Sequence, residues 1–108
     1  RIAEIAKIMV EAGLIVIVAA ISPFRKDRNF AKSLFQEKEF YEIFVDTPLS
    51  ICMKRDPKKL YKKIKIIKGF NKIGLTGSYE KPLDPSIKID TSKETINSSV
   101  KKIIKKVF

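Results

Sequence analysis

Ile2, Ile5, Ile8 or Met9, and Ala12 recur at intervals of three and four, which predicts an amphipathic helix over residues 1–12 closed by Gly13. The rhythm then changes. Leu14 to Ile21 is apolar throughout and rich in β-branched residues, as expected of a central parallel strand covered on both faces. Pro23 ends it, and Asp27 is placed to cap a helix carrying Phe30, Ala31, Leu34 and Phe35. Phe40 to Val45 reads as a second buried strand, stopped by Asp46-Thr47-Pro48, with Thr47 suited to an N-cap and Pro48 to the first helical position. A short helix over Leu49 to Met53 follows. Asp56-Pro57 repeats the cap signal and opens a basic helix toward Lys68, with Leu60, Ile64 and Ile67 on one side. Gly69 breaks that helix, and the Gly- and Pro-bearing stretch to Pro85 reads as a long loop. Ser86 to Asp90 is a short strand. Thr91-Ser-Lys-Glu94 has capping-box spacing for a last helix, with Ile96, Val100, Ile103, Ile104 and Val107 inward.

Helices alternating with three strands are the order of an α/β domain with a parallel sheet and crossover helices. Three strands are few for such a sheet, because both edges stay open and little of the switch-point crevice where these folds bind ligands is formed. The chain also opens on Arg1, already in helical rhythm. Residues 1–108 are therefore expected to be the C-terminal portion of one domain whose N-terminal half lies elsewhere. The longest apolar run, Leu14 to Ile21, has eight residues, against the ~20 that a membrane-crossing helix needs. Glu4, Lys7 and Glu11 interrupt what would be the apolar core of a signal peptide, so a cytoplasmic location is expected.

Composition narrows the chemistry. The 108 residues contain no His, which removes the commonest proton carrier of catalytic triads and the commonest zinc ligand. The lone Cys52 has no partner for an internal disulfide. Lys and Arg number 23 against 12 Asp and Glu, a formal charge of +11 that attracts anionic partners. The excess is concentrated: Lys54, Arg55, Lys58, Lys59, Lys62, Lys63, Lys65, Lys68 and Lys72 face only Asp56. A chain rich in Lys solvates its helix faces with Lys, so only the clustering points to a held anion.

Ile21-Ser-Pro-Phe-Arg-Lys-Asp-Arg28 lies where a buried strand ends and a helix begins, the usual ligand position of open α/β sheets. Free N–H groups at that helix start, the cations Arg25, Lys26 and Arg28, and the Ser22 hydroxyl would favour a phosphate or sulfate. A Ser-Pro turn with solvated charges would have the same composition.

These residues belong to a longer series: Glu42-Ile-Phe-Val-Asp-Thr-Pro-Leu49, Arg55-Asp-Pro-Lys58 with Leu60-Tyr-Lys-Lys63, Lys68-Gly-Phe70, and Tyr79-Glu-Lys-Pro82. In this order and spacing the chain resembles the adenylylsulfate kinases (APS kinases), and the helix beginning Arg1-Ile-Ala-Glu matches the segment before that family's Ile-Ser-Pro strand end. The resemblance implies a three-layer P-loop-type nucleotide kinase fold with a parallel sheet, of which the C-terminal half is present. It implies transfer of the γ-phosphoryl group of ATP to the 3′-hydroxyl of adenosine 5′-phosphosulfate. By the same resemblance Ile21, Ser22, Lys58, Gly69 and Phe70 are substrate-binding, with Phe70 covering the adenine and Ser22 aligned with a serine treated as a phospho-intermediate in some members. Arg55, Lys62, Lys63 and Lys65 fall in the lid, where cations neutralise charge on the transferring phosphoryl group. The loop Asp90-Thr-Ser92 would lie near the ATP base. The implied partners are small-molecule nucleotides, ATP with Mg2+ and the phosphosulfate, in a homodimer or a fusion to sulfate-activating domains, with no membrane.

The departures are specific. No GxxxxGK[ST] loop occurs in the 108 residues, so the cradle for the ATP phosphates and its metal-holding hydroxyl would come from the N-terminal half. Residues 1–108 alone are expected to be inactive. Lys59 replaces a preferred Gly, and Ile64-Lys65 a preferred Ala-Arg. Two other readings compete. In one, Lys54 to Lys72 is a basic nucleic-acid-binding module, for which only Tyr61 and Phe70 could stack bases. In the other, the chain is an inactive kinase relic.

Overall fold

The computed structural model describes residues 1–66 and 79–108. In chain order the elements are α1 (Ile2–Glu11), α2 (Arg25–Ser33), β1 (Ile43–Val45), α3 (Leu49–Arg55), α4 (Leu60–Ile66), β2 (Ile87–Ile89) and α5 (Ile96–Val107). Strands β1 and β2 pair in parallel, with Ile43 opposite Ile87, Phe44 opposite Lys88 and Val45 opposite Ile89. Because the pairing is parallel, the chain must cross over between them, and α3 and α4 are carried in that crossover. At the ends of the ladder Ile87 N–H donates to the Glu42 carbonyl at 3.2 Å and Asp46 N–H to the Ile89 carbonyl at 2.7 Å.

The first helix ends as its sequence requires. Gly13, at φ +88°, donates to the Val10 carbonyl and Leu14 to the Met9 carbonyl, a Schellman closure that needs a residue free to adopt positive φ. Lys7 anchors this helix to the region after α2, with its ammonium 3.6 Å from Glu39 and over the Phe35 ring. The buried apolar side chains among the described residues are Ala6, Phe44, Ile87 and Ile89.

The expected strand over residues 14–21 is not one here. Among the described residues, 15–21 make no backbone hydrogen bond to another part of the chain, and Ile15 and Ile17 are 73% and 90% exposed. The composition is that of a buried strand, but a strand is defined by a ladder and none is available to it. Val16, Val18 and Ala20 instead face Ala6, Ala31, Ile43 and Phe44 across a cleft of about 630 Å³. The sheet of the described residues accordingly has two strands rather than three.

Several caps also differ from expectation. Helix α2 begins at Arg25 with Phe24 at its N-cap, so Asp27 sits within the first turn. Thr47 does not cap α3, because its hydroxyl is committed to Thr91. The N-cap of α5 is Thr95, whose hydroxyl accepts from Ser98 N–H at 3.1 Å, and not Thr91. Along α5 Ser99 is buried and Ile103 and Val107 are half-buried, while Ile96, Val100 and Ile104, expected inward, are exposed.

Candidate functional site

Parallel strands bring their carboxyl ends to one side of the sheet, and a cluster forms there. The hydroxyls of Thr47, after β1, and Thr91, after β2, lie 2.7 Å apart, and Thr91 N–H donates to Thr47 Oγ1 at 3.0 Å. Arg55, the last residue of α3, reaches the same point: Nη1 donates to Thr91 Oγ1 at 2.7 Å and Nη2 to the Thr91 carbonyl at 3.0 Å. The guanidinium is thus fixed at the sheet edge while remaining exposed, which leaves its other N–H groups directed outward. Next to it, Asp90 accepts from both the backbone and the hydroxyl of Ser92, and these bonds hold its carboxyl below the ordinary value of 3.8. It therefore keeps its charge at neutral pH, and what it contributes to the loop is lost only as the pH falls through that lowered value.

The turn that follows α3 is organised by a buried carboxylate. Asp56 accepts from Tyr61 N–H and Lys62 N–H, each at 3.3 Å, and so satisfies the first turn of α4. The Asp-Pro pair signalled such a start, although the helix begins at Leu60. Burial, with Cys52 and Asp56 nearby, raises the Tyr61 hydroxyl above its ordinary value, keeping it neutral. Lys58, Lys62 and Lys63 are exposed around this turn. Lys65 belongs to α4, and Gly69 and Phe70 lie outside the described residues.

The second cluster joins residues 21–28 to residues 79–81. Ile21 and Ser22 are exposed at the end of the extended segment, and Ser22 has φ +43°, the left-handed region. Glu80 N–H donates to the Pro23 carbonyl at 2.8 Å, the Glu80 carboxylate accepts from Arg25 N–H at 3.0 Å, and Arg25 Nε donates to the Lys81 carbonyl at 2.7 Å. Arg28 is buried: Nη1 donates to the Ser22 carbonyl at 2.5 Å, Nη2 to the Glu80 carbonyl, and Nε lies 3.2 Å from Glu42 Oε1. Its guanidinium also covers the Tyr79 ring at 5.2 Å, and that ring stacks on Phe44.

Two expectations for this loop are corrected. At the start of α2 the Glu80 carboxylate already takes the first N–H, that of Arg25, so this donor is not offered to an incoming anion. Arg28 is not an anion-seeking cation, because it is buried, its charge is matched by Glu42, and each of its guanidinium nitrogens is already paired within the protein. Of the three cations, Lys26 is exposed and unlike Arg25 is not drawn into the seam. Glu80 was visible in the sequence only as part of Tyr79-Glu-Lys-Pro82, and nothing local announced that it would reach residue 25.

Comparison with known proteins places these clusters in context. The profile of the adenylylsulphate kinase family matches residues 1–90. The adenylyl-sulfate kinase of Pseudomonas aeruginosa is 54% identical over 104 residues, covering 96% of this chain and 53% of that protein. The bifunctional enzyme NodQ of Rhizobium meliloti is 53% identical over 91 residues, which are 84% of this chain and 14% of that protein. Among solved structures, the Mycobacterium tuberculosis APS kinase CysC in complex with AMPPNP and APS superposes with a TM-score of 0.86 at 29% identity, covering 97% of this chain and 61% of that one. The chain spans about half the length of the P. aeruginosa relative.

Proposed function

Because the chain belongs to the adenylylsulfate kinase family, we propose that residues 1–108 are the C-terminal portion of a kinase domain that phosphorylates adenosine 5′-phosphosulfate at its 3′-hydroxyl with ATP. The observation that carries the reading is the Arg55–Thr91–Thr47 cluster at the carboxyl edge of the parallel sheet. Ligands of open α/β sheets bind at that edge, and an exposed guanidinium held there, with N–H groups that pair with no other described residue, suits a nucleotide. Ile21 and Ser22, at the end of the extended segment, border the phosphosulfate. Lys58, Gly69 and Phe70 contact the substrate by sequence resemblance, with Phe70 supplying a stacking face for the adenine. Arg55, Lys62, Lys63 and Lys65 neutralise phosphate charge.

Among the described residues no three or more His, Cys, Asp and Glu side chains group as they would to hold a metal ion, and Mg2+ at a nucleotide site is held by one or two side chains together with substrate phosphates and water. Its ligands, like the ATP phosphate cradle, are assigned to the other half of the domain. No described helix is long and apolar enough to cross a membrane, and a cytoplasmic metabolic setting fits the family. Fusion to a second sulfate-activating domain fits the match to bifunctional NodQ, and homodimerisation is the alternative assembly.

Ser22 separates two mechanisms. In a chimera where residues 1–108 replace the matched portion of the P. aeruginosa kinase, Ser22→Ala is expected to lower turnover by roughly two- to tenfold, the worth of one hydrogen bond. In-line transfer between two bound nucleotides needs positioning and charge neutralisation, not a covalent relay. Complete loss of turnover, with folding and substrate binding intact, would assign Ser22 a phosphoserine intermediate instead.

A further inference from the structure

Ser22 is a non-glycine residue in the left-handed region, at φ +43°. Such a conformation is disfavoured for an L-residue and persists when its surroundings over-determine it. Its carbonyl accepts from Arg28 Nη1 at 2.5 Å, six residues on. Arg28 is itself held from three further sides. Glu42, just before β1, faces its Nε at 3.2 Å, the Glu80 carbonyl accepts from Nη2, and the Tyr79 ring lies under the guanidinium plane at 5.2 Å. Only 9% of Arg28 is exposed, so this guanidinium is not a surface charge awaiting an anion.

The planar fork can serve these acceptors at once because its N–H groups diverge at fixed angles, whereas an ammonium at the end of a flexible stem cannot span them. We infer that Arg28 is a positioning residue: it sets the backbone of Ser22 and locks residues 22–25 to residues 79–81, so that the exposed Ile21–Ser22 edge is presented to substrate as part of one rigid unit. The strand β1 is the base of that unit, through Glu42 and through Phe44 under Tyr79. This rests on the proposed function for its kinetic consequence, but the locking itself does not depend on it.

The test uses the chimera, with Arg28→Met and Arg28→Lys. In both, hydrogen exchange at Glu80 N–H, which donates to Pro23, and at Arg25 N–H, which donates to the Glu80 carboxylate, is expected to quicken at least tenfold. Exchange at Asp46 and Ile87, which close the β1–β2 ladder, is expected to stay within threefold of the unsubstituted chimera. In turnover, kcat/KM for the phosphosulfate should fall by roughly ten- to a hundredfold, the scale of a small misplacement, with KM for ATP within twofold. Arg28→Lys should not rescue either readout. Rescue by Lys would show that charge alone matters and would overturn the inference. Unchanged exchange at Glu80 would overturn it too, and so would loss of protection at Asp46 and Ile87 together with Glu80, which would make Arg28 a general structural residue. A chimera inactive before substitution would count against the proposed function, while the exchange pattern would still decide the role of Arg28.

Discussion

On its own, the 108-residue chain should show no sharp thermal transition, whereas the same residues carried in the P. aeruginosa chimera should melt cooperatively. The expectation follows from where the apolar side chains lie. Ile15, Ile17, Val18 and Ile21 are exposed along a segment with the composition of a central strand, and Ile2, Ile5 and Ile8 line an uncovered face of α1. On α5, Ile96 is 83% exposed, with Val100 and Ile104 beside it at helical spacing. Burying a single Val, Leu or Ile side chain stabilises by about 1.5–3 kcal/mol, so leaving this many in water removes more than the net stability of a typical domain. A cleft of about 630 Å³ separates Val16, Val18 and Ala20 from Ile43 and Phe44, so this segment does not close onto β1. Calorimetry and amide-proton dispersion, run on both proteins, read the difference directly. A cooperative melt with a well-dispersed spectrum for the chain alone would show that it completes its own core, and would remove the half-domain reading.

Within the chimera, Ile89→Ala is expected to cost about 2–5 kcal/mol. Ile89 is 3% exposed and lies in β2 opposite Val45, where its carbonyl also accepts from Asp46 N–H. Removing its outer carbons leaves a void that a hydrogen-bonded strand cannot collapse to fill, so the cavity cost adds to the lost burial. For a domain of this family's size the change corresponds to a drop in Tm of roughly 4–20 °C. Lys88→Ala, one position earlier with its side chain on the opposite face, loses only an exposed ion pair with Asp46 and should cost less than about 1 kcal/mol. Equal costs at the two positions would mean that the β1–β2 pairing and its buried face are misassigned.

Much of the fold was legible because hydrophobic period and punctuation are local. The three- and four-residue spacing before Gly13 marks α1 and its closure, and the runs read as strands, Phe40 to Val45 and Ser86 to Asp90, contain the observed Ile43–Val45 and Ile87–Ile89. What was not legible depends on partners distant in sequence. Thr47 and Thr91 each carry a capping signature, yet each hydroxyl finds the other across 44 positions and the helix starts move accordingly. Residues 14–21 have the apolar content of a strand, but pairing needs a neighbour that composition cannot supply.

The candidate site divides in the same way. Ile21, Ser22 and Arg55 stand at chain positions where α/β folds bind ligands, and motif order pointed to them. Arg28 carried the same charge signal as Lys26, and only the approach of Glu42 and Glu80 distinguishes a buried organiser from a solvated cation. Phe70 and Gly69 are proposed for the site from the motif alone, as they lie outside the described residues.

The most direct test of the central claim is a product analysis. The chimera, incubated with ATP and adenosine 5′-phosphosulfate beside the unmodified P. aeruginosa kinase, is followed by phosphorus NMR. ADP and a nucleotide bearing a new phosphate ester at the 3′ position should accumulate in equal amounts, and an analogue lacking the 3′-hydroxyl should give neither. A folded chimera that binds ATP yet leaves the phosphosulfate unmodified, while the unmodified kinase consumes it, would contradict the assignment of these residues to a working adenylylsulfate kinase.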